Sequence, residues 1–452
     1  MTASRRIYIA NRGEIALRIV EACERLGYES VLGVSSADRE TLAAKRATRT
    51  VVLGEPRSTE SYLNQNAVIH AALSSGCDAV HPGYGFLSEK ATFARACAEE
   101  GLIFIGATPE QLETLGDKLS ARAFAESVGV PVSPGGATET LDEALALAAG
   151  IGFPILVKAA NGGGGRGMKL VTAMDELASA WQVASSEAAA AFGDGTVFLE
   201  RFVRAAKHIE VQILGDAHGH CVHLGERECT LQFRYQKILE EAPSTALHPD
   251  DRKRLHDYAL QIGRGLSYQG LGTVEFLYDV ETRDICFLEV NPRVQVEHPV
   301  TEAVTGVDLV REQILVAFGG ELPFTQADIR LQGHAIELRL TAQDPQQGLR
   351  PTPGRLTRWR PAPIGGVRVD SHLYEGYLFP PYYDALMAKL VATGADRAGA
   401  LALAARAIGR LEVEGPITNR TLLARLLEHP DVVANRITTR WLEEEFAEGR
   451  LP

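Results

Sequence analysis

No apolar run in this sequence is long enough to cross a bilayer. The longest, Ala144 to Val157, is broken by Gly150, Gly152 and Pro154, whereas a spanning helix needs about 20 predominantly apolar residues. Arg5-Arg6 is followed only by Ile7–Ala10, which is too short for the apolar core of a signal peptide. A soluble, cytoplasmic chain with no membrane partner is the expectation. The six cysteines (Cys23, Cys77, Cys97, Cys221, Cys229, Cys286) show no paired spacing and no Cys-x-x-Cys, which suits reduced and mostly buried thiols. No basic stripe or tail offsets the net charge of −12, so nucleic acid is not expected as the main partner. Internal repeats and low-complexity tails are missing as well. What is there is ordinary globular composition, 45% hydrophobic and 23% charged, spread over 452 residues. That length exceeds one core and points to about two to four packed units.

One stretch organises the rest, Asp284 through Pro299. Read in steps of two, Glu289, Asn291, Arg293, Gln295 and Glu297 fall on one side, and Leu288, Val290, Pro292, Val294 and Val296 on the other. An extended chain alternates its side chains, so this is a polar row backed by an apolar one. Burying that row without partners would cost on the order of several kcal/mol per charge. A half-exposed strand with a solvated face is the plain alternative. Against it stands the preceding strand, Gly272–Tyr278, which a turn through Asp279–Asp284 would fold antiparallel, bringing Glu275 to Glu289. Facing carboxylates repel unless a cation lies between them. Oxygen ligands with room for water and phosphate suit Mg²⁺ rather than zinc. This is a phosphoryl-transfer site in outline.

In chain order, a strand at Ile7–Ala10, a helix over Ile15–Cys23 and a strand at Ser30–Val34 make a βαβ opening. The loop Asn11-Arg12-Gly13 has one glycine where a dinucleotide fingerprint needs three, so a nicotinamide site is not expected. Strands and loops continue through Ala79–Phe86 to Ile103–Gly106, with His81 more suited to holding its turn than to catalysis. Val130–Gly136 reads as a linker. Between the strands Phe153–Ala160 and Met168–Val171, Gly162–Gly167 holds five glycines in six positions. No Gly-Lys-Ser/Thr follows, so this is no P-loop. It reads as a glycine-rich flap flanked by Lys158 and Arg166, able to close over phosphates, or as a flexible surface hairpin. Lys207–Leu214 alternates, placing His208, Glu210 and Gln212 on one face; His208 suits either a nucleotide contact or a satisfied strand position. Gly225–Glu241 is a further charged cluster, and Lys237 gains weight only if it faces the Arg293 row. After Gly320 come short strands and Pro/Gly turns, then helices over Ala398–Leu411, Thr418–Leu427 and Arg440–Glu448.

The motifs Ile9–Ala16, His81–Glu89, Lys158–Met168, Gln236-Lys237 with Glu240–Pro243, Glu289–Pro299 and Pro380–Asp384 together resemble biotin carboxylase, the ATP-grasp component of biotin-dependent carboxylases such as acetyl-CoA carboxylase. The resemblance runs over nearly the whole chain. It implies an α/β protein of three parts: a Rossmann-like N-terminal (pre-ATP-grasp) domain over 1–115, an ATP-grasp domain over 116–330 with a mobile glycine-rich lid near 132–203, and a mixed α+β C-terminal domain over 331–448. It implies that Lys118, Lys158, Glu200, Arg201, Phe202, Val203, His208 and Tyr235 bind ATP, with Gly164 and Gly165 on its phosphates. Glu275, Glu289 and Asn291 would hold Mg²⁺ (or Mn²⁺). Lys237, Arg293, Gln295 and the backbone of Val296 would hold bicarbonate. Glu297 would be the base, and Arg339 would support the biotin ureido oxygen. The absence of any Met-Lys-Met motif implies that biotin arrives on a separate biotin carboxyl carrier protein and passes to a separate carboxyltransferase. A homodimer involving Arg18 and the Arg368 region is also expected.

The chain departs from the family pattern where Phe233 removes a cation and Tyr235 replaces a residue that usually approaches the ribose; Asn161 and Gln343 are further departures. Two rival readings differ in chemistry. Another ATP-grasp ligase would not need Arg293-x-Gln295-x-Glu297 or Arg339, and a catalytically silent nucleotide-binding homologue would bind ATP without bicarbonate-dependent cleavage.

Overall fold

The computed structural model describes residues 4–159 and 168–451. Strands β1 (Arg6–Ile9), β2 (Glu29–Ser35), β3 (Arg49–Gly54), β4 (Ala79–His81) and β5 (Ile103–Phe104) form a parallel sheet in the order β3-β2-β1-β4-β5. The helix Gly13–Leu26 buries Ile15, Ile19, Val20 and Cys23 and ends where Gly27 turns left-handed at φ 69°. Strand order reverses around β1 and β4, the place where open α/β sheets receive ligands beyond the strands' carboxyl ends. The Asn11 amide pins the two loops emerging there, donating to Pro82 O at 2.6 Å and Tyr84 O at 2.7 Å. His81 holds its turn, Nδ1 accepting from Gly83 N at 3.1 Å.

A second sheet, in the order β6-β9-β7-β8, joins β6 (Gly135–Thr138), β7 (Ile155–Ala159), β8 (Lys169–Val171) and β9 (Val197–Arg201), all antiparallel. Helices Leu141–Ile151 and Met174–Phe192 cover it, and Ala144, Ile155, Val157, Leu177 and Leu199 form its own small core. Two parts of the stretch read as a linker are tied to neighbouring strands. Phe287 N donates to Pro131 O at 2.8 Å, and Gly135 opens strand β6. Gly135 has to be small, because a Cβ there would lie 2.4 Å from Leu199 O. The glycine-rich segment itself, with Gly164 and Gly165, lies outside the described residues; the strands on either side of it pair antiparallel.

The third and largest sheet has eight strands. Six are β14 (Ile285–Asn291), β13 (Gly270–Asp279), β10 (Ala206–Gly215), β11 (Cys221–Phe233), β12 (Gln236–Ala242) and β15 (His334–Thr341), in that spatial order; Leu386–Gly394 and Val367–Asp370 complete it. Beneath β10, β13 and β14, Ile209, Val211, Val274, Phe276 and Val290 pack with Leu255, Ala259 and Ile262 of helix Pro249–Gly265. Beyond β12, Leu231, Leu239, Leu338 and Leu390 share a core with helices Arg397–Arg410 and Arg420–Glu428. The sheet passes through position 330 without a break, since Leu239 pairs with Leu338 and Glu240 with Glu337.

Candidate active site

The turn after β13 does bring Glu275 opposite Glu289 in register. Asn291 completes the row, its amide donating to Glu275 Oε1 at 2.9 Å and reaching Glu289 Oε1 at 3.5 Å. The two acids differ in company. Burial raises the Glu275 carboxyl, but Lys237 and His208 more than offset this and hold it well below the usual range. His208 Nε2 lies 2.9 Å from Glu275 Oε2, and Lys237 Nζ 3.2 Å from Oε1. Glu289 is pushed up, by burial and then by the charge of Glu275, with Lys118 only partly countering. A half-buried acid so strained by its neighbour fits a hard cation between the two, which is the relief the row lacks from its own side chains.

The polar row is not one strand. β14 stops at Asn291, because Pro292 has no N–H to continue the ladder. Residues 292–297 turn instead into the helix His298–Thr305, which Glu297 precedes. The turn delivers Glu297 to the centre of the site. Lys237 Nζ donates to Glu297 Oε1 at 2.6 Å and Arg339 Nη2 to Oε2 at 2.9 Å. Burial opposes the Glu297 charge, but Lys237, Arg339 and Arg227 outweigh it, and the carboxyl is held far below its ordinary value. Lys237 also meets Glu210 Oε2 at 2.7 Å, so three carboxylates keep its ammonium protonated despite burial. His208, Glu210 and Glu275, and likewise Glu210, Cys229 and Glu297, are grouped closely enough to hold a metal. Lys237 and Arg227 already occupy that role for Glu210, so neither group needs an ion.

Arg293 donates Nη2 to Asn291 Oδ1 at 2.9 Å, and its Nε is 3.2 Å from Glu89 Oε1. Gln295 bridges the two halves of the site: its amide donates to Glu275 Oε1 at 2.8 Å and accepts from Arg227 Nη2 at 2.8 Å. On the four-stranded sheet, Lys158 Nζ of β7 donates to Glu200 Oε1 of β9 at 2.8 Å. Tyr235 stands at the tip of the β11–β12 hairpin, where Arg234 and Tyr235 have φ of 49° and 64°, and it is half exposed. Arg440, just ahead of the last helix, stacks over the Phe202 ring at 5.7 Å.

One cavity of about 1230 Å³ takes in every expected residue that is described: Lys118, Lys158, Glu200, Arg201, Phe202, Val203, His208, Tyr235, Lys237, Glu275, Glu289, Asn291, Arg293, Gln295, Val296, Glu297 and Arg339. Loops of the first sheet (Asn11–Glu14, Tyr84–Phe86) and the segment Tyr382–Leu386 close its far wall. Its volume exceeds the about 300–1,000 Å³ of ordinary small-molecule sites, room for a nucleotide and a second substrate together. Arg18 is placed differently from its expectation at a subunit face. It is buried within the chain against Glu302 and Asp308, and Glu302 in turn accepts from the partly exposed Arg368 at 2.6 Å.

Sequence reasoning missed three contributors. Arg227 is fully buried, bonded to Glu210, Gln212, Thr273, Gln295 and Thr301. Glu240 receives the Arg339 Nε, and its carboxyl is pushed up to about 7 by burial. Lys389 sits inside the strand Leu386–Gly394. For Lys389 alone a signal was available, a lone cation in an otherwise apolar run, which has to find partners when buried.

Three family models match in succession: the biotin carboxylase N-terminal domain over 3–112, the carbamoyl-phosphate synthase L chain ATP-binding domain over 117–325, and the biotin carboxylase C-terminal domain over 337–444. A biotin carboxylase of Nostoc sp. is 47% identical across 97% of this chain and 98% of its own. The crystal structure of Campylobacter jejuni biotin carboxylase in a β,γ-ATP complex superposes with a TM-score of 0.93 at 42% identity, covering 97% of this chain and 98% of that one. The biotin carboxylase domain dimer of Hydrogenobacter thermophilus 2-oxoglutarate carboxylase, solved with MgADP, ADP and bicarbonate, gives 0.92 at 39% identity, covering 98% and 97%. The middle match alone would admit other ATP-binding ligases, but it is flanked by both domains specific to one family, and the likeness runs the length of the chain: it belongs to the biotin carboxylase family.

Proposed function

We propose that this chain carboxylates biotin on a separate biotin carboxyl carrier protein, consuming ATP and bicarbonate and releasing carboxybiotin, ADP and phosphate. The observation that carries the reading is Glu297, gripped by Lys237 on one oxygen and Arg339 on the other, in the same cavity as the Glu275–Glu289–Asn291 row. Glu275, Glu289 and Asn291 hold Mg²⁺ (or Mn²⁺), which when bound screens the phosphate oxygens and polarises the γ-phosphate. Lys118, Lys158, Glu200, His208 and Tyr235 surround the nucleotide, with Arg201–Val203 along its edge. Arg293 and Lys237 fix the bicarbonate anion, with Gln295 and the Val296 backbone completing its contacts.

Glu297 then takes the bicarbonate proton, so that an oxygen of the anion attacks the γ-phosphorus; the bond from that phosphorus to the β,γ-bridging oxygen breaks, ADP leaves and carboxyphosphate forms. Glu297 stays ionised at neutral pH, as an acceptor must. The negative charge of a bound anion beside it, and a share of Lys237 given to that anion, would both raise its basicity. Carboxyphosphate then parts into CO₂ and phosphate, the biotin ureido nitrogen gives its proton to that phosphate and bonds to the CO₂ carbon, and Arg339 turns its guanidinium to the ureido oxygen as negative charge develops there. Closure of the lid excludes water, which would destroy carboxyphosphate.

The homodimer of the Hydrogenobacter relative supports a homodimer here, with Arg368 near the surface and Arg18 behind it holding Glu302. A carboxyltransferase takes the carboxyl group onward, and acetyl-CoA carboxylase is the assembly this reading favours. No described helix is long and apolar enough to cross a membrane, in keeping with a cytoplasmic location. ADP formation assayed with and without bicarbonate and free biotin tests the function. It should require bicarbonate, and Glu297→Ala should lower it by about 10²–10⁴-fold, the usual worth of a general base, with ATP binding retained. ADP formation indifferent to bicarbonate would reject it.

A further inference from the structure

Lys389 is wholly buried, at 0% side-chain exposure, within the strand Leu386–Gly394. It is the register partner of Arg339 on β15 and of Asp370 on the neighbouring strand, so the three side chains emerge on one face. Arg339 holds the Glu297 carboxylate at 2.9 Å. Lys389 reaches the residue before it, donating to the Val296 main-chain carbonyl at 2.9 Å. Two adjacent cations thus grip two adjacent residues of the loop.

The neighbouring carbonyls are taken up within the chain's own turn. Gln295 O lies 2.7 Å from His298 Nδ1, and Glu297 O accepts from Val300 N at 3.3 Å. Lys389 supplies the corresponding bond for the peptide between Val296 and Glu297. Its Nζ is also 2.9 Å from Glu14 Oε2, whose other oxygen accepts from the Tyr84 hydroxyl at 2.5 Å. Asp370 is already satisfied by two 2.6 Å bonds from Arg368. A buried ammonium has three donors to place, and here one of them goes to the Val296 carbonyl, the group next to the Glu297 peptide nitrogen. Glu14, Asp370, Glu337 and Arg339 are the charged groups that face it. Burial disfavours the ammonium, but the three acids outweigh this and keep it charged.

We infer that Lys389 is a positioning residue for the bicarbonate loop, fixing the Val296–Glu297 peptide and tying it through Glu14 to the N-terminal unit. The inference rests on the function proposed above. Steady-state ADP formation is measured over a bicarbonate series and an ATP series for the wild type, Lys389→Met and the charge-balanced double variant Lys389→Met/Glu14→Gln, with thermal melts alongside. The expected result is a bicarbonate KM raised about tenfold or more in each folded variant, with the ATP KM within about twofold of wild type. An unchanged bicarbonate KM, or both constants rising in equal proportion, would overturn the inference. Failure of both variants to fold would assign Lys389 to folding alone and overturn it too. A wild type without bicarbonate-dependent ADP formation would remove the function itself, a separate and recognisable result.

Discussion

Glu297, Lys237 and Arg339 lie far apart in sequence and meet within hydrogen-bond distance. Composition and periodicity could show only that each was a charge on a strand or near one. What made Glu275 and Glu289 legible was a local turn, whereas Arg227 and Lys389 depend on partners 15 to 375 positions away and gave no local sign of them. Buried histidines pose the same problem. Neither ring nitrogen of His372 finds a hydrogen bond among the described residues, and its ring packs edge-on to Tyr377 at 5.5 Å. Burial, with Arg12 adding to it, lowers His372 to about 3. The unfolded chain takes up that proton below pH about 6.5. The contribution of His372 to stability is therefore complete above pH about 6.5 and declines as the pH falls toward 3, by about 1.4 kcal/mol per pH unit. Glu240, pushed up to about 7, titrates in the opposite sense, so the comparison has to be between proteins that share it. Denaturant midpoints at pH 7.5, 6 and 5 should show His372→Phe losing less stability on acidification than the wild type. Parallel profiles would contradict this.

At the scale of elements, alternation located β10, β13, β14 and β15 well, because one face of each antiparallel strand is buried and the other faces the cavity. It overran β14, since alternation in letters continues through Pro292 while the hydrogen-bond ladder cannot. The β11–β12 turn was illegible for another reason: both of its central residues have positive φ, a geometry that usually advertises itself as Asn-Gly and here is made by Arg234 and Tyr235. The helix Met174–Phe192 is alanine-rich, lacks a regular apolar stripe and drew no assignment from its sequence. It nevertheless covers the lid sheet through Leu177, which is completely buried. Because that core is separate from the rest, Leu177→Ala should destabilise the lid by about 2–5 kcal/mol. Amide exchange should quicken in β6–β9 and leave β10–β14 unchanged, and the KM for ATP should rise. Equal acceleration in both sheets would show that the lid is not an independent unit.

Across the whole molecule, the change of character after Gly320 marks a change of topology rather than a gap in the core. The eight-stranded sheet carries the Lys237 strand, β12, directly into the Arg339 strand, β15. The N-terminal unit closes the other side: the Tyr383 hydroxyl donates to Pro56 O at 2.6 Å, and the Arg12 guanidinium lies 4.0 Å over the Tyr383 ring. The residues proposed to bind phosphate, anion and acceptor thereby line one cavity, and the proposed route through an unstable mixed anhydride requires that water be kept out of it. Oxygen transfer tests that route most directly. With ¹⁸O-labelled bicarbonate, biotin and unlabelled ATP, each phosphate released should carry one ¹⁸O atom, because the attacking oxygen leaves with the phosphorus. Phosphate free of label, formed while ADP accumulates, would mean that bicarbonate never attacks the nucleotide.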